Sequence, residues 1–283
     1  MEIKSLSSAS FNSIYEAFAK AFEAYEVRID KKELGSMMKR RGFNADLSFA
    51  AFYKDEITAF TLNGTGEFNG ISTAYDTGTG TVEDYRGRGL ATQIFQYSIP
   101  YLKKAGIRQY LLEVIQHNTK AVSVYKKIGF ETTREFNYFR QRNDQINHNT
   151  KPAGIPYTLE RININNFSHI PSFWDFEPSW QNSFESIDRS KESFVSIGAF
   201  TGDKLIGYCV FEPVSGDITQ IAVGKTYRRK GIGSALFGEI LKLNRNDSIK
   251  IINTDISCTS ITNFLESKNI QISGKQFEMI KEI

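Results

Sequence analysis

Two basic, glycine-punctuated hexapeptides are the residues best suited by type and spacing to do chemistry. They are Arg86-Gly87-Arg88-Gly89-Leu90-Ala91 in the first half of the 283-residue chain and Arg228-Arg229-Lys230-Gly231-Ile232-Gly233 in the second. Glycine lets backbone amides approach a ligand closely, and a helix that starts at such a turn points the positive end of its dipole at the same spot. Each turn therefore suits a pyrophosphate. Two such turns imply two related domains.

The elements that must position the first turn follow from periodicity. A strand is expected over residues 2–7, then a helix whose Phe11, Ile14, Phe18, Phe22 and Tyr25 share one face, with Ser8 or Ser10 as its cap. A second helix over 31–41 stops before Gly42, and strands over 47–54 and 57–62 form a hairpin around Asp55-Glu56. The Thr-rich strand over 71–82 enters the turn, and Gly78 and Gly80 mark a bulge or a close ligand approach in it. A helix over 90–104, with Pro100 as an expected kink, leads to a buried strand over 109–115, a short helix over 118–128 closed by Gly129, and an alternating strand over 130–139. The crossover through the 90–104 helix makes its two flanking strands a parallel pair.

Residues 143–156 include Asn143, Asp144, Asn147, Asn149, Lys151, Pro152 and Gly154, a polar, turn-forming run that reads as a linker between a domain over 1–142 and another over 157–283. The pattern then repeats. Strands are expected over 157–164, 194–200, 205–211 and 218–223, with a helix over 173–188 among them. After the second turn come a helix over 232–243, a strand over 249–253, a helix over 260–268 and a strand over 277–283. The fold class is α/β (α+β): two domains, each a mixed, partly antiparallel twisted sheet flanked by helices.

Composition narrows the function classes. With 40% hydrophobic and 24% charged residues the chain has the make-up of a soluble globular protein, and a formal charge of +3 without a long Lys/Arg tract argues against nucleic acid as a partner. Met1-Glu2-Ile3-Lys4-Ser5-Leu6 is not a signal sequence, and no apolar run is long enough to span a membrane. Cys209 and Cys258 are too few for a disulfide framework, so a reducing cytoplasm fits; His117, His148 and His169 lack metal-ligand spacing, so no metal is expected. A dinucleotide fold is disfavoured because Arg86-Gly87-Arg88-Gly89 lacks the G-x-G-x-x-G order and follows a late strand. Gly224-Lys225-Thr226 ends like a P-loop, but Thr219 stands where its first glycine belongs.

The two turns, the strands before them and the Asn118-to-Phe130 segment together resemble the GNAT superfamily of N-acetyltransferases, in tandem, over most of the chain. The family signature, Arg or Gln followed by x-x-Gly-x-Gly/Ala, is matched by Arg86-x-x-Gly89-x-Ala91 and Arg228-x-x-Gly231-x-Gly233, with Tyr85 and Tyr227 in the preceding aromatic position. The resemblance implies acetyl-coenzyme A as co-substrate. In the first half the strand at Thr79, Gly80 and Thr81 would pair with its pantetheine amides. Amides from Arg88 through Gly89, Leu90 and Ala91 to Thr92 would hold its pyrophosphate, with Arg86 and Arg88 adding charge, Gly87 completing the turn and Asn118 contributing from the next helix. Ile221, Ala222 and Val223, with Arg228, Arg229, Lys230, Gly231, Ile232, Gly233 and Ser234, would do the same in the second half.

The resemblance also implies two catalytic residues. In the ribosomal-protein alanine acetyltransferase branch a strand Glu sits twelve positions before a helix Tyr, as Glu113 sits before Tyr125. An amine with a reference pKa of about 10.4 for lysine or about 7.7–8.0 for an α-amine must lose a proton before it attacks, so Glu113 is the candidate base. A phenol is protonated at neutral pH, so Tyr125 is the candidate donor to the departing thiolate. The second half places Asn253, Cys258, Leu265 and Asn269 where the first has Glu113, Asn118, Tyr125 and Gly129, with Asp255 as a nearby carboxylate. Leucine cannot donate a proton, so chemistry is expected in the N-terminal domain alone.

The expected function is acetyl transfer from acetyl-coenzyme A to a primary amine, on a small molecule or a protein N-terminus, by direct attack in a ternary complex. The alternative is a non-catalytic acyl-coenzyme A-binding sensor or scaffold. Phe173-Trp174-Asp175-Phe176-Glu177-Pro178-Ser179-Trp180 reads either as acceptor-pocket lining or as an aromatic core or interdomain contact. Spacing names neither the acceptor nor the oligomeric state.

Overall fold

The computed structural model describes residues 1–23, 28–148 and 153–283. In chain order the elements are β1 (Glu2–Ser5), α1 (Phe11–Ala21), α2 (Lys31–Arg41), β2 (Phe49–Tyr53), β3 (Glu56–Phe68), β4 (Ile71–Thr81), α3 (Leu90–Lys104), β5 (Gln109–Ile115), α4 (Thr119–Lys127) and β6 (Glu131–Arg142). They continue with β7 (Thr158–Arg161), α5 (Phe184–Arg189), β8 (Val195–Thr201), β9 (Lys204–Glu212), β10 (Asp217–Val223), α6 (Ile232–Leu243), β11 (Ser248–Asp255), α7 (Thr259–Ser267) and β12 (Ile272–Glu282). Two compact units result, each a mixed sheet flanked by helices. The first holds Met1–Arg134, Phe184–Ser190 and Phe277–Ile283, and the second Glu135–Ser183 and Lys191–Gln276. Tyr25, Asn149, Lys151 and Pro152 lie outside the described residues.

In the first unit the helix ends are set by local chemistry. The Ser10 hydroxyl accepts from the Ser13 amide to start α1, and an Asp30–Glu33 capping box starts α2, which Gly42 ends at φ 78°. Strands β1 to β4 pair antiparallel in sequence order, and β5 joins β4 in parallel. Leu6, Ile14, Phe18, Leu34, Met38 and Phe60 pack one face of the sheet under α1 and α2. Ala74, Phe95, Leu102, Tyr110, Leu112 and Val122 pack the other under α3 and α4. Pro100 lies inside α3 without ending it.

Two irregularities of β4 shape this unit. Its pairing with β5 covers only Thr73–Gln109, Ala74–Tyr110 and Tyr75–Leu111, so from Asp76 onward the strands part. Opposite β3 the register slips between Leu62–Gly78 and Asn63–Asp76, leaving Thr77 as the extra residue of a bulge. Residues three apart on a regular strand face opposite sides. The bulge cancels one alternation, so Asp76 and Thr79 share a face, with Oγ1 of Thr79 2.9 Å from Oδ2 of Asp76.

In the second unit the sheet runs β6-β11-β10-β9-β8-β7. Ile232, Leu236, Phe237 and Ile240 of α6 pack on Ile206, Phe211, Ile218 and Ile249. The parallel pair β10–β11 touches in register only at Asp217–Lys250. The helix expected over 173–188 is not formed. The chain makes tight turns at Ile170–Phe173 and Trp180–Asn182, and only Phe184–Arg189 is α-helical. Pro178 explains the break, because a proline excludes its predecessor, here Glu177, from helical geometry and removes an amide donor. Among the described residues no helix is long and apolar enough to cross a membrane.

Candidate active site

The first glycine turn leaves the start of α3 open. Gly87 and Gly89 adopt φ 76° and 70°, and Gly89 opens α3 without a side-chain cap, so the first amides of the helix face outward unclaimed by any cap. A Cβ at Gly87 would meet no described atom within 4 Å, and one at Gly89 only Nε2 of Gln93 at 3.7 Å. The arginines brace this loop. Nε of Arg86 donates to the Thr81 carbonyl at 3.2 Å and Nη2 to that of Ala21 at 2.9 Å, while Arg88 donates to Asp84 O and covers the Tyr85 ring at 5.0 Å.

Beside the turn, where β4 and β5 part, a small pocket is lined by Thr61, Asp76, Thr79, Ala91, Tyr110 and Tyr125. The Asn118 side chain caps α4 by accepting from the Ala121 amide, and the Tyr125 ring stands edge-on to Phe130 at 5.6 Å. This fixes the Tyr125 hydroxyl 3.1 Å from Oδ2 of Asp76. Burial raises the Asp76 carboxyl to about 6, against hydrogen bonds from Thr79 and Tyr125 and the charge of Arg41 that lower it. Its other oxygen, Oδ1, is buried without a hydrogen-bond partner among the described residues. The phenol of Tyr110 donates to Asn63 Oδ1 on the inner wall.

Glu113 lies on the other face of the sheet. Its neighbours Leu112 and Val114 pack with Tyr125 under α3 and α4, so alternation turns Glu113 away from them. There the Tyr75 hydroxyl donates to Oε2 of Glu113 at 3.1 Å, and the Arg41 guanidinium sits 6.0 Å from the Tyr75 ring and donates to Thr77 O at 2.8 Å. Burial, reinforced by the negative charge of Glu113, holds the Tyr75 phenol protonated well above the usual range. The adjacent residues Tyr75 and Asp76 thus serve opposite faces, the first against Glu113 and the second against Tyr125.

Asp76 is the residue that sequence reasoning overlooked. Its signal was a carboxylate in a Thr-rich strand two residues before Gly78, but its pairing with Thr79 depends on a bulge that spacing alone does not locate. The backbone of Thr79, Gly80 and Thr81 borders the gap left by β5, and a Cβ at Gly80 would lie 2.6 Å from the Phe60 ring.

In the second unit the turn is built alike. Gly231 opens α6 at φ 87°, Arg229 takes a left-handed φ of 62° where Gly87 takes 76° in the first copy, and Nε of Arg228 donates to the Val223 carbonyl at 3.0 Å. Leu265 is buried in the apolar core, Cys258 starts α7, and Asn253 donates to Ser179 Oγ at 2.9 Å. Oδ1 of Asp255 is taken by the amide and hydroxyl of Ser257.

The model of the acetyltransferase (GNAT) family matches residues 11–130 and 159–259. An uncharacterized N-acetyltransferase, YobR, of Bacillus subtilis is 31% identical over 91 residues, 32% of this chain and 35% of that protein. N-alpha-acetyltransferase 30 of Schizosaccharomyces pombe is 32% identical over 68 residues, 24% of this chain and 45% of that protein. The chain thus spans less than half the length of these curated relatives. A tandem GNAT protein from the clavulanic acid biosynthesis pathway superposes with a TM-score of 0.76 at 12% identity, covering 99% of this chain and 98% of that one. A GCN5-related N-acetyltransferase from Sphaerobacter thermophilus superposes with a TM-score of 0.73 at 15% identity, covering 99% and 95%.

Proposed function

The chain belongs to the acetyltransferase (GNAT) family, and on that footing we propose that its first unit transfers acetyl from acetyl-coenzyme A to a primary amine on a small molecule or a protein N-terminus. The observation that carries the reading is the Tyr125–Asp76–Thr79 pocket, which opens where β4 parts from β5, with Ala91 of the uncapped α3 start in its wall. The turn fits a pyrophosphate, because Gly87 and Gly89 keep a Cβ from the space in front of its amides. Amides from Arg88 to Thr92 would hold it, and the strand edge at Thr79, Gly80 and Thr81, free of β5, would pair with the pantetheine. Arg86 keeps strand end and turn together, and Asn118 fixes the helix that carries Tyr125.

Bound acetyl-coenzyme A supplies an activated acyl group. Glu113 takes a proton from the incoming amine, directly or through water, on the face it shares with Tyr75 and Arg41. The amine nitrogen bonds to the acetyl carbon, the carbon–sulfur bond breaks, Tyr125 gives its hydroxyl proton to the departing thiolate, and the second proton the nitrogen sheds as it becomes an amide restores the phenol. Asp76 sets where that proton points: ionised it accepts the Tyr125 O–H, and protonated it donates to the Tyr125 oxygen and frees the O–H to turn toward sulfur. No covalent enzyme intermediate is needed.

The test is thiol release from acetyl-coenzyme A across a panel of small amines and peptides with free N-termini, with acetylated acceptor identified by mass. Amine-dependent release is expected. Tight acetyl-coenzyme A binding with no release against any amine would support a binding module instead.

A further inference from the structure

The second unit repeats the glycine turn and the parting of its parallel strands, yet its own chain occupies both places. We propose that the second cleft is sealed from within and that the protein binds one coenzyme A, on the first unit; this rests on the coenzyme A reading above.

At the turn, Ala153 and Gly154 lie directly on Gly231 and its neighbour Lys230. A Cβ at Gly231 would come within 2.9 Å of Ala153 Cα and 3.3 Å of its nitrogen, and the Gly154 amide donates to the Lys230 carbonyl at 3.0 Å. The close approach that glycine permits here is used by the protein's own backbone. Ala153 and Ile155 also pack on the apolar core beneath α6, so the cover is anchored.

At the parting of β10 and β11, the segment Ser179–Asn182 ties the two strands together. Nδ2 of Asn182 donates to the Ile252 carbonyl on β11 at 3.0 Å, while the Gln220 side chain on β10 donates to the Asn182 carbonyl. Asn253 of β11 donates to Ser179 Oγ, and Trp180, Gln181 and Asn182 are all buried. The other amide end of Gln220 is held by the Tyr208 hydroxyl at 2.7 Å, which in turn receives the Trp174 N–H at 2.6 Å. At the parting of the two strands the Gln220 and Asn253 side chains and the Ile252 carbonyl are thus taken by the chain's own segment.

Asp175 latches the same segment over the helix start. It pairs with Arg228 at 2.9 Å and accepts from Ser260 Oγ at 2.9 Å, while Nη2 of Arg228 holds the Phe173 carbonyl at 3.1 Å. The turn arginine and the first turn of α7 are thereby joined through one carboxylate. The aromatic and acidic run noted in the sequence is this seal.

Isothermal titration of the full chain with coenzyme A, read together with amide hydrogen exchange, tests the proposal. We expect one coenzyme A per chain, at least fivefold slowed exchange over 88–95 on binding, unchanged exchange over 229–237, and loss of binding in Thr92→Asp, whose new carboxylate faces the phosphates. Two coenzyme A molecules per chain, or new protection over 229–237, would overturn the seal. No binding at all would sink the coenzyme A reading of the first unit and, with it, the proposed single coenzyme A per chain.

Discussion

The Tyr125 hydroxyl and Oδ2 of Asp76 lie 3.1 Å apart in a pocket where burial has raised the carboxyl to about 6. The ordinary value is 3.8, so the folded protein binds more protons than the unfolded chain between pH 4 and 6, and the contribution of Asp76 to stability is lost as pH rises through that window. The difference corresponds to about 3 kcal/mol. Asp76→Asn is predicted to flatten this part of the stability profile, and urea unfolding at pH 4, 5, 6 and 7 measures it.

The same pair predicts a kinetic signature. Asn at position 76 can donate to the Tyr125 oxygen as a protonated Asp does, whereas Ala can do neither. Asp76→Asn is expected to keep kcat within a few-fold and to remove an ionisation near pH 6 from its profile, while Asp76→Ala lowers kcat about tenfold or more. Equal losses in both variants, with the ionisation still present, would deny Asp76 this role.

The base role proposed for Glu113 puts the cost of its loss where the amine is protonated. Glu113→Gln is predicted to lower kcat/KM for the amine about 100-fold near pH 7, with partial recovery at higher pH, and to leave the Kd of acetyl-coenzyme A unchanged. Rates measured from pH 6 to 9 decide this.

Gly80 stands where α1 closes on β4. A Cβ there would press on the Phe60 ring at 2.6 Å and on Ala21 Cβ at 3.0 Å. Gly80→Ala should destabilise by about 1–3 kcal/mol through overpacking, read as a lower denaturation midpoint.

Much of this architecture was legible because local rules and tertiary demands agreed. The spans Lys31–Arg41, Leu90–Lys104, Gln109–Ile115 and Ile232–Leu243 match the expected ones residue for residue, each set by a cap, a glycine or a run of apolar residues. Gly78 and Gly80 flagged an irregular strand, and the bulge lies beside them. The 173–188 segment misled because its aromatic spacing imitates a helical face, whereas Trp180 is buried from a tight turn after Pro178. Asp76 stayed hidden because only long-range register puts it beside Tyr125. Periodicity also identifies Phe277–Ile283 as strand without saying that it belongs to the first compact unit, which pairing between distant segments decides.

The central claim is that acetyl transfer belongs to the first unit through Glu113 and Tyr125. Its most direct test is the amine-dependent thiol release rate of the Glu113→Gln, Tyr125→Phe double variant at saturating acetyl-coenzyme A, with coenzyme A binding measured on the same preparation. The account predicts a loss of at least about 1000-fold with binding intact. Release at the wild-type rate by the double variant would contradict it.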